Sequence, residues 1–155
     1  MTGGVQGWRW TTFDALSGRE VHDLLKLRMD VFVVEQACAF AEIDGKDPHA
    51  LHLLHTVEGA LAACLRVFAP PAQGQAARIG RVATSAAFRG TGLGHRLMVE
   101  GVRFCRETYP GHPIDLSAQA HLVRFYERHG FTCVSDAYLE DDIPHVDMRR
   151  PADTA

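Results

Sequence analysis

Several features that mark specialised protein classes are missing from this chain of 155 residues. No apolar run approaches the ~18 residues that cross a bilayer, and the first ten residues hold no charged region followed by an apolar stretch. The net charge of −3 leaves no basic surplus of the kind that binds nucleic acid. We therefore expect a cytoplasmic protein with neither a membrane nor a nucleic acid partner.

Metal and disulfide signatures are also scarce. The four cysteines, Cys38, Cys64, Cys105 and Cys133, are far apart and form no C-x-x-C pair, so we expect reduced and mostly buried thiols without a nucleophilic role. His49, His52 and His55 are spaced as H-x-x-H-x-x-H. If residues 51–57 form a strand, His52 and His55 point to opposite faces, and we expect no metal site.

What is present is the composition of an ordinary globular domain. Hydrophobic residues make up 46% and charged residues 23% of the chain. Length and composition predict a single domain over residues 1–155, with its core at about 8–150 and a mobile tail at 151–155.

Hydrophobic periodicity predicts alternating strands and helices. Ser17 is placed to cap a helix over 19–36 with a break near Asp30, and the apolar side of the helix from residue 93 contains Leu93, Leu97, Val99, Val102 and Phe104. A further short helix ends at Gly130. Strands are predicted at 8–13, 51–57, 61–68, 76–84, 114–118, 131–138 and 143–149, the second and third forming a hairpin. The expected fold class is α/β, with a mixed sheet of about seven strands and helices on both faces.

The segment Arg89-Gly90-Thr91-Gly92-Leu93-Gly94 joins a predicted strand to a predicted helix. Glycines allow successive backbone N–H groups to point inward, and the helix adds the positive end of its dipole, so this loop is suited to a pyrophosphate. No Gly-Lys-Ser/Thr follows, which excludes a P-loop. The third glycine of a dinucleotide fingerprint would fall at His95, which excludes that motif as well.

The Arg-x-x-Gly-x-Gly pattern resembles the loop with which GNAT acyltransferases hold the pyrophosphate of coenzyme A. Further blocks at 27–36, 44–45, 118–121, 125–131 and 143–146 are similar, in the same order, to the ElaA-like branch of that superfamily. The resemblance runs from about residue 27 to residue 148.

This resemblance implies acetyl-coenzyme A as co-substrate and assigns roles to particular residues. Tyr126, within a Phe-Tyr-Glu block, would be the general acid that protonates the departing thiolate. A backbone N–H near Val82 would hold the thioester carbonyl and stabilise the oxyanion. The implied coenzyme-binding residues are Val82, Ala83, Thr84, Arg89, Gly90, Thr91, Gly92, Leu93, Gly94, His95 and Arg96.

The general base is less defined, because residues 79–84 contain no carboxylate. Glu35, Asp44, His52 and His145 are the candidates, and Glu35 leads because it lies in a block that resembles the family. Arg78 and Arg81 share the strand before the loop, where a solvated or ion-paired face is the simplest interpretation.

Carboxylates are concentrated in two segments. We predict that a primary amine enters between residues 35–47 and 140–145, with Asp44 and His145 as substrate-binding residues. The carboxylates concerned are Glu35, Glu42, Asp44 and Asp47 in one segment and Glu140, Asp141 and Asp142 in the other. Solvated loops are the alternative explanation.

The sequence therefore predicts an N-acetyltransferase that moves an acetyl group from acetyl-coenzyme A to a primary amine, by direct attack in a ternary complex. A non-catalytic acyl-coenzyme A sensor is the alternative: Tyr126 favours the enzyme and the missing strand carboxylate favours the sensor. A nucleotide hydrolase is excluded because no Walker lysine is present. The acceptor and the oligomeric state cannot be read from the sequence.

Overall fold

The computed structural model describes residues 7–153, and within that range the chain forms eight strands and three α-helices. In chain order they are β1 (Trp8–Thr12), α1 (Gly18–Met29), β2 (Leu51–Val57), β3 (Ala60–Phe68), β4 (Ala77–Thr84), α2 (Leu93–Thr108), β5 (Ile114–Gln119), α3 (Val123–Glu127), β6 (Thr132–Cys133), β7 (Tyr138–Glu140) and β8 (Ile143–Arg150). The predicted mixture of strands and helices is confirmed, in a mostly antiparallel sheet. A search of the described residues finds no helix long and apolar enough to cross a membrane.

By their internal contacts the residues form two compact units. The first contains residues 7–67 together with Arg81–Leu97, and the second contains Phe68–Gly80 and residues 98–153. The hydrogen-bonded strand order is β1-β2-β3-β4 in the first unit and β4-β5-β8-β6 in the second, with β7 paired to β8.

In the first unit, β2 and β3 form the predicted hairpin. Leu53 pairs with Leu65, and the turn residues Glu58 and Gly59 both have positive φ, as in a type I′ turn. The core of this unit joins α1 to the inner strands through Leu24, Leu27, Cys64 and Ala83, against which Leu16, Val31, Phe32 and Leu61 pack.

Helix α1 begins and ends near the predicted positions. Ser17 accepts a hydrogen bond from the Glu20 N–H at 3.1 Å, and the Glu20 carboxylate accepts one from the Ser17 N–H at 2.9 Å, which is a complete capping box. The predicted break near Asp30 is present, because the α-helix ends at Met29 and a second short helical segment follows. That segment, Asp30–Glu35, is π-helical, which the sequence did not predict. Its β-branched residues Val31, Val33 and Val34 crowd a regular α-helical turn, which favours the change.

In the second unit, β4 begins parallel to β5, with Ala77 opposite Ile114, and β8 runs antiparallel to β5, with Asp147 opposite Ser117. The single strand predicted over 131–138 is wrong: it is two short strands, β6 and β7. Between them the Ser135 hydroxyl accepts the Asp147 N–H at 2.9 Å, so a side chain replaces a ladder partner and interrupts the strand.

Two smaller expectations need correction, and the tail predicted at 151–155 has ion-pair partners. Val99 is 59% exposed, whereas Met98 beside it is fully buried, so the predicted apolar side of α2 includes one residue too many. Within residues 7–153 the four cysteines form no disulfide, but Cys133 is exposed and only Cys64 and Cys105 are buried. Asp153, in the predicted mobile tail, forms ion pairs with Arg106 and Arg150, while residues 154 and 155 lie outside the described range.

Two histidines of the H-x-x-H-x-x-H pattern, His52 and His55, have structural partners. His52 is buried, with Nε2 2.9 Å from the Asp47 carbonyl oxygen, and His55 stacks on Trp8 with ring centroids 4.0 Å apart. Between residues 7 and 153 no group of three His, Cys, Asp or Glu residues is arranged to hold a metal ion.

Candidate active site

The glycine loop predicted from the sequence lies between β4 and α2, after a 3₁₀ turn at Ala86–Phe88. Gly90 and Gly92 have φ values of +81° and +77°, which L side chains adopt only with strain. A Cβ built on either glycine meets no atom within 4 Å. The glycines are therefore required by backbone conformation and not by close packing, and the space beside them is open.

The positive end of α2 lies at this loop. The helix begins at Leu93, its first internal hydrogen bond runs from the Arg96 N–H to the Gly92 carbonyl at 3.1 Å, and its first turn contains no acidic residue. Leading N–H groups of a helix have no intrahelical acceptor and carry partial positive charge. Thr91 donates its hydroxyl to the Phe88 carbonyl at 2.9 Å, which fixes the loop from within.

Arg89 is held against the loop by two acceptors. Its guanidinium donates to the Thr84 carbonyl at 3.0 and 3.2 Å, and it forms a two-pronged ion pair with Glu35, one contact of which measures 2.7 Å. Hydrogen bonding to Arg89 lowers the pKa of Glu35. A carboxylate thus sits on the one arginine of the glycine motif, and its lowered pKa makes it a weak base.

A second cluster of charges lies inside the same unit. Arg28 is 1% exposed and donates to Glu42 at 2.8 Å and to Asp47 at 2.7 Å. Arg66 donates to Asp44 at 2.6 Å and to Asp47 at 2.9 Å. Arg81 adds a bond to Glu42 at 2.7 Å. Three arginines are therefore paired with three carboxylates. Such pairing offsets the free-energy cost of burying charged groups.

We call this group the arginine cluster: Arg28, Arg66 and Arg81 with Glu42, Asp44 and Asp47. It includes a residue of β4 that has an unusual backbone conformation. Arg81 has a φ of +51°, rare for a residue with a side chain and costing about 1–3 kcal/mol. Its guanidinium bonds Glu42 and lies 5.7 Å from the centroid of Phe40. Val82, the residue expected to meet the thioester, follows immediately, so the cluster fixes the backbone at that point.

The predicted role of these carboxylates changes accordingly. Glu42 and Asp47 are 2% and 4% exposed and, like Asp44, bind arginines, so their charge is neutralised within the protein. They do not form an unshared acidic surface. Asp141 and Asp142, in the other predicted segment, have positive φ and form the turn between β7 and β8.

Acid titration should reveal the arginine cluster. The hydrogen bond from Arg66 holds the pKa of Asp44 well below its usual range, in spite of partial burial. This contribution is complete above the unfolded pKa of about 3.9 and is lost as pH falls toward the folded value. Asp44→Asn should therefore reduce the slope of unfolding free energy against pH, between about pH 4 and 2, by up to about 1.4 kcal/mol per pH unit. Denaturant titrations at several pH values measure this slope.

Asp14→Asn is the control, because Asp14 is exposed and lies outside the arginine cluster. Equal slopes in wild type and Asp44→Asn would contradict the assignment.

Tyr126 lies in the second unit, on the short helix α3. It is 7% exposed, packed edge-on against Phe125 and Phe131 at centroid distances of 5.0 and 6.3 Å. Burial raises the pKa of Tyr126 to about 12. The phenol therefore stays protonated at neutral pH, as a general acid must before it acts.

His145, on β8, belongs to a polar group that the sequence did not indicate. Its Nδ1 lies 2.7 Å from the Ile143 carbonyl oxygen and its Nε2 3.4 Å from Glu140, and its ring stacks on Tyr138. The Tyr138 hydroxyl lies 2.6 Å from Asp147 and 2.5 Å from Ser117. No motif marks Ser117, Tyr138 or Asp147. Alternation along β5 and β8 is the sequence signal that places Ser117 and Asp147 on one sheet face.

The predicted site residues are thus divided between the units. The loop residues, Glu35 and Asp44 lie in the first, and Tyr126 and His145 in the second. Within the first unit the structure brings Glu35 to Arg89 and Asp44 to Arg66.

Comparisons with known proteins agree on one family. A family model for the acetyltransferase (GNAT) domain matches residues 20–151. Protein ElaA of Escherichia coli is 39% identical over 145 residues, 92% of this chain and 95% of its own length. The crystal structure of ElaA superposes with a TM-score of 0.86 at 38% identity, covering 92% of this chain and 97% of that one.

Two further solved structures extend the comparison. An acyl-CoA N-acyltransferase from Pseudomonas aeruginosa has a TM-score of 0.87 at 44% identity, covering 92% of this chain and 97% of that one. An aminoglycoside 6′-N-acetyltransferase crystallised with coenzyme A has a TM-score of 0.70 at 13% identity, covering 92% and 96% of the two chains, and shares the fold alone.

Proposed function

We propose, because this chain belongs to the GNAT acetyltransferase family, that it transfers the acetyl group of acetyl-coenzyme A to a primary amine by direct attack in a ternary complex. Membership of this family supports acyl transfer in general. The amine, the mechanism and the residue roles are the proposal.

The observation that carries the proposal is the loop at 89–94. Two glycines with positive φ border open space at the start of a 16-residue helix, with no acidic residue in its first turn. Such a helix start favours an anion. The N–H groups of Gly90 to Gly94 would hold the pyrophosphate of coenzyme A, with Arg89 and Arg96 adding positive charge. Val82, Ala83 and Thr84 would bind the pantetheine arm, and His95 would contribute from the first turn of α2.

The catalytic step needs an oxyanion site and an acid. The backbone N–H near Val82 would donate a hydrogen bond to the thioester oxygen as negative charge develops on it. As the C–S bond breaks, Tyr126 would protonate the sulfur, a transfer for which its protonated state at neutral pH is required.

A coenzyme-release assay tests the proposal. Purified protein is incubated with acetyl-coenzyme A and a panel of primary amines, including small amines and lysine peptides, and free thiol is followed with time. We expect acceptor-dependent thiol release and an acetylated product by mass spectrometry. Tight coenzyme binding with no acetylated acceptor would support the sensor alternative and contradict the enzyme.

Glu35 should compete with the coenzyme for Arg89. Both side chains are more than 40% exposed, and exposed ion pairs are worth at most about 1 kcal/mol. Glu35→Gln should therefore tighten acetyl-coenzyme A binding by up to about fivefold, measured by calorimetry.

The neighbouring Asp30→Asn is the matched control, since Asp30 lies on the same π-helical segment but pairs with Lys26. Weaker binding by Glu35→Gln would contradict competition. A hundredfold fall in turnover with unchanged affinity would instead identify Glu35 as the general base.

A further inference from the structure

We propose that Ser117, Tyr138 and Asp147 form a hydroxyl relay that receives the proton of the acceptor ammonium group, with Ser117 meeting the nitrogen and Asp147 as the proton's destination. The proposal rests on the acetyl transfer proposed above. All three residues lie outside the sequence blocks that resemble the family.

The relay follows from strand register within the second unit. Ser117 on β5 is directly opposite Asp147 on β8, and Tyr138 on β7 is opposite His145, two residues earlier on β8. The Tyr138 side chain therefore reaches over β8 from one neighbouring strand to the other. Its hydroxyl contacts Asp147 Oδ1 at 2.6 Å and Ser117 Oγ at 2.5 Å.

The hydrogen bonds have one consistent direction. An ionised carboxylate only accepts, so the Tyr138 O–H donates to Asp147. Tyr138 Oη then has only lone pairs left for Ser117, and the Ser117 O–H must donate to Tyr138. Every proton in the chain points toward Asp147.

This direction selects the chemistry of the ligand. Ser117 is half-buried and its remaining capacity is two oxygen lone pairs, so a ligand at this end has to bring the donor. An ammonium group does so, whereas a carboxylate or a phosphate does not. Glu140, 3.4 Å from His145, adds negative charge to the same group.

The relay solves a protonation problem of the reaction. An alkylamine with a pKa near about 10.4 is an ammonium ion at neutral pH and has no lone pair for attack. One N–H bond of the ammonium group breaks as Ser117 Oγ takes the proton. Ser117 passes its hydroxyl proton to Tyr138, and Tyr138 passes its hydroxyl proton to Asp147. Asp147 then releases a proton to water. The nitrogen then forms the C–N bond and the C–S electrons go to sulfur. The second N–H proton leaves to solvent and balances the one that Tyr126 donates.

Several charged and titratable groups surround the relay. They are His145 stacked on Tyr138, Glu140 beside His145, and the pair Asp115 and Arg149, two register positions away on the same strands. Burial and the bond to Asp147 raise the pKa of Tyr138, so it keeps its proton at neutral and mildly basic pH.

The test is the pH profile of kcat/KM for an alkylamine acceptor, from about pH 6.5 to 9.5, for wild type, Ser117→Ala, Tyr138→Phe and Asp147→Asn. Without the relay, the reaction depends on amine that solution has already deprotonated. Each variant should lose about 100-fold at pH 7 and recover toward wild type as pH approaches the pKa of the amine. Affinity for acetyl-coenzyme A should not change.

Asp115→Asn is the matched control, because Asp115 lies on the same face of β5 and pairs with Arg149 at 2.7 Å outside the relay. A loss of equal size at every pH, or a loss below twofold, would overturn the relay. Absence of acetyl transfer by the wild type would contradict the proposed function itself, which separates the two failures.

Discussion

Turnover should fall about 10²–10⁴-fold when Tyr126 is replaced by phenylalanine, while affinity for acetyl-coenzyme A changes little. The substitution keeps the ring that packs against Phe125 and Phe131 and removes only the hydroxyl. Without it, the thiolate must leave unprotonated or take its proton from water. Steady-state and single-turnover kinetics with acetyl-coenzyme A and the preferred amine measure the loss.

Tyr109→Phe is the control for this prediction. Tyr109 also packs edge-on against a phenylalanine, Phe104, and has no role in the proposed chemistry. If Tyr126→Phe and Tyr109→Phe both keep near-normal turnover under conditions where chemistry limits the rate, Tyr126 is a core residue and the acid is another group.

Loss of Arg28 should have the largest effect on stability. Arg28→Met leaves a side chain of similar length but strands buried negative charge on Glu42 and Asp47, which Arg81 and Arg66 only partly match. Breaking a buried ion pair costs about 3–5 kcal/mol. Chemical denaturation followed by circular dichroism measures the loss in the free energy of unfolding.

Arg103→Met supplies the comparison. Arg103 on α2 also contacts two carboxylates, Glu100 and Glu107, but 47% of its side chain is exposed, so less than about 1 kcal/mol should be lost. Equal losses in the two variants would mean that the arginine cluster contributes no more than surface ion pairs.

Much of the fold was predictable because it is encoded locally. The capping box at Ser17 and Glu20, the hairpin around Glu58 and Gly59, and the glycine loop before α2 each depend on a few neighbouring residues. Short-range sequence patterns carry that information directly. The interrupted strand after Phe131 was not predictable, because Ser135 replaces a ladder bond through a contact with distant Asp147.

The arginine cluster was not predicted from the sequence, for a related reason. Arg28 and Glu42 are 14 residues apart, and Arg81 and Glu42 are 39 apart, so only the folded chain pairs them. One signal was available: Arg66 lies between Leu65 and Val67 in an apolar strand, where a charge requires a buried partner. The sequence predicts an acidic segment that includes Glu42, Asp44 and Asp47, because the arginine partners of these carboxylates lie far along the chain.

The candidate site was predictable in its anion-binding part and not in its acid–base part. Glycines and a helix start specify phosphate chemistry through the backbone, which sequence spacing reports. The partners of Glu35, and the alignment of Ser117 with Tyr138, depend on side chains that converge from separate elements. Residue type alone could not distinguish a base from a carboxylate held by an arginine.

The most direct test of the account is calorimetric and thermal-shift titration of the wild type and Gly92→Glu with acetyl-coenzyme A and with NAD. Acetyl-coenzyme A should stabilise the wild type by about 2.7 kcal/mol at a hundredfold excess over its dissociation constant, and NAD by much less. Gly92→Glu places a strained side chain and a carboxylate in the open space at the loop and should abolish the effect. Gly74→Glu, at another glycine with positive φ and open surroundings, should keep it. Equal stabilisation by NAD and acetyl-coenzyme A, or undiminished binding by Gly92→Glu, would contradict the assignment of this loop to coenzyme A.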